Sequence, residues 1–244
     1  MGQKKLLRFN AIKSFSNVLE YPQNMQGNWK SFFGNNRPIV LELACGRGEY
    51  TVGLARLYPD KNFIGVDIKG NRMYIGAKKC LEEKLSNAAF LRTHISMINQ
   101  YFGKDEVAEI WITFPDPQLR TSRAKKRLTH PRYLRLYQQF LQPTGDIHLK
   151  TDSPQLYQFT KRVTELYSLT LVEMNDDVYA SEVPAELNIK TYYESLDIAG
   201  SNRIHYIRFK LTPGIFNALD EQLQEELKQT ENNTSLLPNA HKDE

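Results

Sequence analysis

The chain has 244 residues, 41% hydrophobic and 25% charged, which suits one large α/β domain or two small ones and is ordinary for a soluble globular protein with a real core. Two cysteines, Cys45 and Cys80, exclude a disulfide framework and a structural zinc site, and no apolar run approaches the ~20 residues of a membrane span. The formal net charge of +4 is modest, so the places where cations gather say more than their total.

The start, Met1-Gly2-Gln3-Lys4-Lys5, lacks the apolar core of a signal peptide, and the terminal His241-Lys242-Asp243-Glu244 lacks the leucine of an ER-retention signal; a cytoplasmic protein is expected. Residues 1–36 carry Lys4, Lys5, Arg8 and Lys13 and then Asn, Gln and aromatic residues with no clear period. They read as an arm whose cations either meet a phosphate backbone or are merely solvated. Pro38 to Leu43 predicts a strand, Ala44-Cys45-Gly46-Arg47-Gly48-Glu49 a tight turn, and Tyr50 to Tyr58 a helix. This is the first half of a nucleotide-binding βαβ unit, in which Gly46 and Gly48 let a ligand approach the backbone, although the third glycine of the dinucleotide fingerprint is missing. A second strand, Asn62 to Asp67, ends about twenty residues past the turn in an acid suited either to ribose hydroxyls or to capping the next helix, Lys69 to Leu85. Glu42 lies inside the first strand, where an acid is unusual unless it faces a polar ligand. The third strand, Ala88 to Thr93, leads to His94, which either meets a nucleobase or is a plain loop residue; no second histidine stands at metal-ligand spacing, and no metal is expected.

Glu109 to Thr113 is an apolar run of strand length, and Phe114-Pro115-Asp116-Pro117 follows it. Two prolines stiffen the turn around the Asp116 carboxylate, just past a strand's C-terminal end, where open α/β sheets bind their ligands. Behind it stand Arg120, Arg123, Lys125, Lys126 and Arg127, five cations in eight residues. They suit a polyanion or form a solvated charge run. Pro131 to Leu141 predicts an amphipathic helix. The strand Asp146 to Lys150 then delivers Thr151-Asp152 to the same rim, with Asp152 as helix cap, base acceptor or both, before a helix from Pro154 to about Leu166. Leu169 to Glu173 and Arg203 to Leu211 complete seven strands in βα alternation, the last antiparallel, with a long polar connection containing Thr191-Tyr192-Tyr193-Glu194 between them. Beyond residue 211, a short acidic helix to about Lys228 and a disordered tail are expected. The expected division is therefore an arm (1–36), a central α/β domain (37–211) and a C-terminal extension (212–244).

Glu42-Leu43-Ala44-Cys45-Gly46-Arg47-Gly48-Glu49, Phe114-Pro115-Asp116-Pro117, Lys125 to Pro131, Leu149-Lys150-Thr151-Asp152 and Thr191-x-Tyr193-Glu194 occur in one order and spacing. Together they resemble the tRNA (guanine-N7)-methyltransferase family from about Pro38 to Leu211. The resemblance implies a class I, Rossmann-like methyltransferase fold: a seven-stranded, mostly parallel sheet with one antiparallel strand and helices on both faces. It also implies transfer of a methyl group from S-adenosylmethionine to a guanine in the variable loop of tRNA. By the same resemblance Glu42, Asp67, His94 and Asp116 line the donor site, with Asp116 also the catalytic acid. Arg120, Asp152, Thr191, Tyr193 and Glu194 match substrate-contacting positions. The chain departs from the family pattern at Ala44, usually Gly; at His94, usually Asp or Asn; at Gln118-Leu119, usually Trp-Pro; and at Arg120, commonly Lys. A different methyl acceptor and a non-catalytic RNA-binding module are the rival readings. A monomer or homodimer with no obligate protein partner is expected.

Overall fold

A computed structural model describes residues 2–192, 194–196, 203–214 and 217–235. The strands are β1 (Val18–Glu20), β2 (Ile39–Leu43), β3 (Asn62–Asp67), β4 (Ala88–Arg92), β5 (Val107–Thr113), β6 (Leu141–Thr151), β7 (Thr170–Asn175) and β8 (His205–Lys210). They form one sheet in the order β1-β4-β3-β2-β5-β6-β8-β7, parallel except for β8, which runs against both of its neighbours. β2 and β3 are buried along their whole length, as strands covered on both faces by crossover helices must be. On one face pack α3 (Glu49–Leu57) and α4 (Gly70–Glu82), through Tyr50, Leu54, Met73, Ala77 and Cys80. On the other pack α2 (Trp29–Phe33), α5 (Pro131–Tyr137), α6 (Pro154–Leu166) and α7 (Asp220–Ser235), through Trp29, Tyr137, Leu156, Phe159, Val163 and Leu223. No helix among the described residues is long and apolar enough to cross a membrane.

The eighth strand, β1, lies in the segment read from sequence as an arm. Three residues are too few to show an alternation, and the pairing that makes them a strand is with Phe90 to Arg92, some seventy positions away. An ion pair of 2.6 Å between Arg92 and Glu20 holds this edge, and the Asn17 side chain donates to the Ala77 carbonyl of α4. The preceding helix, α1 (Gly2–Ala11), is followed by Ile12, which is fully buried against Gly70; a Cβ there would come within 2.5 Å of the Ile12 Cδ1. The segment is thus built into the sheet edge.

Two helix ends also differ from expectation. α5 stops at Tyr137, because Phe140 and Leu141 turn into the core and Leu141 begins β6, in which residues 142–145 form a bulge between the paired positions Val107↔Leu141 and Glu109↔Asp146. α7 continues past Lys228 to Ser235, held by Arg135–Asp220 (2.6 Å), Arg162–Glu226 (2.7 Å) and the buried Leu223, so residues 229–235, expected in the disordered tail, are helical; the rest of that tail, residues 236–244, lies outside the described residues.

Glu42, the acid inside β2, turns to protein partners. Its Oε2 accepts from the Thr51 N–H at 2.7 Å and from the Thr51 hydroxyl, and its Oε1 accepts from the Thr113 hydroxyl at 2.8 Å, so one carboxyl joins β2, the first turn of α3 and the end of β5. Burial raises its pKa to about 7, against the lowering effect of those hydrogen bonds.

Truncating the α7 anchor, Leu223→Ala, should cost about 2–4 kcal/mol in urea unfolding. For Glu42, a folded-state pKa above the unfolded value means that the native state keeps a proton the unfolded chain has lost. Its stabilising contribution is therefore complete below about 4.5 and disappears as pH rises to about 7. The stability difference between wild type and Glu42→Gln should accordingly drift against the wild type by on the order of 2 kcal/mol across that window. A difference that stays flat from pH 4.5 to 7 would contradict the assignment.

Candidate active site

The strand order reverses between β2 and β5, and the turns that leave their C-terminal ends splay apart there. The cavity between them has a volume of about 610 Å³, within the range of small-molecule sites. Ala44 and Gly46 of the glycine turn, with Asp67, Lys69 and Arg72 at the end of β3, form one wall; Phe114 to Pro117, Leu119 and the Asp152-Ser153 end of β6 form the other. Asp67, Asp116 and Asp152, predicted from three separate strand ends, meet on this one cavity.

Each wall owes its shape to backbone the sequence makes unusual. Ala44 (φ +59°), Gly46 (+56°) and Gly48 (+75°) give the first turn three left-handed residues, one of them an alanine. Asp67 is pinned at both oxygens, Oδ2 accepting from the Gly46 N–H at 2.9 Å and Oδ1 from the Lys69 N–H at 2.8 Å. The acid therefore locks the glycine turn to the end of β3 and keeps lone pairs directed at the cavity. It is not the cap of α4, which is Lys69. Gly48 also departs from expectation, since it does not line the cavity. A Cβ there would fall 2.5 Å from the Phe90 ring, so this glycine serves helix-to-strand packing rather than ligand approach. Glu42 stands behind the turn and is likewise absent from the cavity wall. His94, at the end of β4, is exposed and does not reach the cavity.

On the opposite wall Phe114 (φ +46°) and Gln118 (φ +48°) bracket the Pro-Asp-Pro turn, both in the left-handed region that non-glycine residues avoid. Asp116 Oδ1 accepts from the Gln118 N–H at 3.0 Å, and the carboxylate is exposed to the open cavity, not buried. The basic segment behind it divides. Arg120, Arg123, Lys125 and Lys126 are exposed around a short 3-10 helix, Thr121–Lys126. Arg127, expected among the phosphate contacts, is 4% exposed; its guanidinium donates to the carbonyls of Pro117, Gln118 and Leu119 at 3.1–3.4 Å and lies 4.5 Å from the Phe159 ring centroid. It clamps the Asp116 turn from inside and is not available to RNA.

Asp152 lines the cavity, but the capping role expected of it falls to Ser153, whose Oγ accepts from the Leu156 N–H at 3.2 Å. Thr191 is buried, its hydroxyl accepting from the Glu194 N–H at 3.1 Å. The Glu194 carboxylate points inward, 3.4 Å from the buried Lys150 ammonium, with a hydrogen bond from the Tyr179 hydroxyl, and neither residue joins the cavity wall. Tyr193 lies outside the described residues. Its neighbour Tyr192 stacks under the Arg47 guanidinium at 3.3 Å, which brings this segment against the glycine turn. Sequence reasoning passed over Lys69, Arg72 and Leu119; their signal was position alone, immediately after the ends of β3 and the Asp116 turn. Among the described residues no cluster of His, Cys, Asp and Glu side chains is arranged to hold a metal.

A family model described as putative methyltransferase matches residues 36–205. A tRNA (guanine-N(7)-)-methyltransferase of Bacteroides thetaiotaomicron is 46% identical over 92% of this chain and 92% of its own length. One of Porphyromonas gingivalis is 49% identical over 82% and 86%. Among solved structures, the 30S ribosomal A1408 methyltransferase from an uncultured bacterium superposes with a TM-score of 0.56 over 76% of this chain and 93% of that one; at 16% identity it shows the shared fold alone. With the glycine turn, the Asp116 turn and the strand-order reversal on one cavity, and near half of all positions shared with these relatives along almost their full length, the chain belongs to the tRNA (guanine-N(7)-)-methyltransferase family.

Proposed function

We propose that the protein transfers the methyl group of S-adenosylmethionine to N7 of a guanine in the variable loop of tRNA. The observation that carries this reading is the facing of two acids across one cavity, Asp67 at the end of β3 tied to the glycine turn and Asp116 on the turn that leads into the exposed cations. The residues fit such a donor: a left-handed turn brings backbone close to the cavity, and a tethered acid stands at the end of β3, where ribose hydroxyls are accepted in this class of fold. When bound, S-adenosylmethionine supplies an electrophilic methyl group on a sulfonium. Asp67 and the backbone around Gly46 would hold its nucleoside part.

Guanine N7 carries a lone pair and no proton, so no residue has to act as a base. The protein's work is to hold the purine in line and to place negative charge near a ring that becomes positive. Asp116 takes that role in this reading, and Asp152 accepts from the guanine N1 and amino protons. Arg120, Arg123, Lys125 and Lys126 neutralise backbone phosphates, while Arg127 holds the turn from which Asp116 projects. A cytoplasmic monomer or homodimer completes the proposal.

Incubation of the purified protein with labelled methyl donor and bulk tRNA, followed by nucleoside analysis, should yield 7-methylguanosine; tRNA binding with no heat on titration of S-adenosylmethionine would favour the non-catalytic module. Asp116→Ala should leave donor affinity within about twofold and lower kcat on tRNA by about 10²–10³. Turnover equal to wild type would remove Asp116 from the chemistry. Neutralising Arg120, Arg123, Lys125 and Lys126 singly should each flatten the log-affinity against log-salt slope for tRNA by about 0.7–0.9. A slope that never changes would return this loop to a solvated surface.

A further inference from the structure

Lys150 sits in β6 two residues before Asp152 and is 0% exposed. An ammonium so buried persists only where it is paired and hydrogen-bonded. Its Nζ donates to the carbonyls of Leu187 (2.8 Å) and Ile189 (3.0 Å) and to the Tyr179 hydroxyl (3.1 Å), and it lies 3.4 Å from the Glu194 carboxylate. The rings of Tyr50, Phe114 and Tyr179 stand 5.4–5.6 Å from it, inside cation–π range. Burial lowers its pKa to about 8 while Glu194 raises it, so the group is charged at neutral pH.

The partners sort into two sets. Among the described residues, every hydrogen-bonding partner of the ammonium belongs to the segment from Tyr179 to Glu194. Phe114, in contrast, begins the Asp116 turn, and its own N–H donates to the Lys150 carbonyl at 2.9 Å. One residue is therefore bonded to both the turn that carries Asp116 and the segment that carries Thr191 and Glu194. An apolar side chain of similar length would fill the same ring cage without any charge to neutralise, so packing alone does not account for a lysine here. The segment has further ties between these points, Tyr192 under Arg47 and Tyr50, whose hydroxyl donates to the Glu186 carbonyl at 2.5 Å.

We propose that Lys150 is a positioning residue for the tRNA side of the site, fastening the 179–194 segment to the Asp116 turn so that both meet the acceptor in one fixed relation. The inference rests on reading this segment as a tRNA contact. Its test compares Lys150→Met, Glu194→Gln and the double variant by calorimetry with the donor, by kcat and KM on tRNA, and by deuterium exchange of the full chain. Lys150→Met should keep donor affinity within about twofold and lose about tenfold in kcat/KM for tRNA. Exchange should quicken in residues 179–194 and stay unchanged in β2 and β3. The double variant should lose less than the product of the single losses, since both groups act through one contact. Equal losses in donor affinity and in kcat/KM for tRNA, or unaltered exchange in 179–194, would overturn the proposal. Should Lys150→Met fail to fold, Glu194→Gln decides alone, and normal exchange in 179–194 would then count against it. A wild-type protein that binds donor but never modifies tRNA would defeat the acceptor reading while leaving the exchange result to judge the fastening itself.

Discussion

The hydrogen bonds that Glu42 accepts from Thr51 and Thr113 fix the distance on which everything else in the site depends. β2 and β5 are paired as far as Leu43 and Ile112, and their outgoing turns diverge beyond, leaving no further strand pairing between the glycine turn and the Asp116 turn. A carboxyl reaching from β2 to the start of α3 and to Thr113 closes that gap from behind the cavity. Thr113 is the last residue of β5, and Phe114, directly after it, bends into the left-handed region. The same acid thus stands at the root of both walls, which explains why an ionisable side chain is kept in a strand otherwise made of Ile, Val and Leu.

Of the eight non-glycine residues at positive φ among the described residues, three belong to the two turns at the cavity. Ala44 and Phe114 are non-glycine residues at positive φ that line it, and Gln118 is a third at the far end of the Asp116 turn. Such conformations cost about 1–3 kcal/mol each and persist where surrounding bonds over-determine them. Those bonds are present: the Arg127 guanidinium gathers the carbonyls of residues 117–119, Asp116 takes the Gln118 N–H, and the Cys45 N–H next to Ala44 reaches the Val66 carbonyl at 3.0 Å. Pre-shaped turns of this kind present their groups to a ligand with little left to order on binding.

Much of this was legible in the sequence, because it follows from local rules. Apolar strand-length runs ending in Asp67, Asp116 and near Asp152 put three acids on one rim, and the fold needed only the alternation of strands and helices to bring them together. The misreadings share another cause. Arg127 is one of five cations in a row of eight residues, and nothing nearby distinguishes it; it is buried because Phe159, on a helix some thirty residues later, lies over it. Glu194 turns inward because Lys150 waits beneath it, and Gly48 is a packing glycine because Phe90 occupies its side-chain space. β1 is a strand because of β4. Composition and period report what a segment can do, whereas these four outcomes were decided by tertiary neighbours.

The placement of β8 between β6 and β7 governs how the molecule comes into being. β7 is an end strand whose sole sheet neighbour is β8, so on a ribosome it emerges with no ladder to join until His205–Lys210 has followed it out. Until then the flank of β6 that β8 will cover stands open. The nascent chain therefore carries β6 as an edge strand, paired with β5 alone, until its last strand has been made.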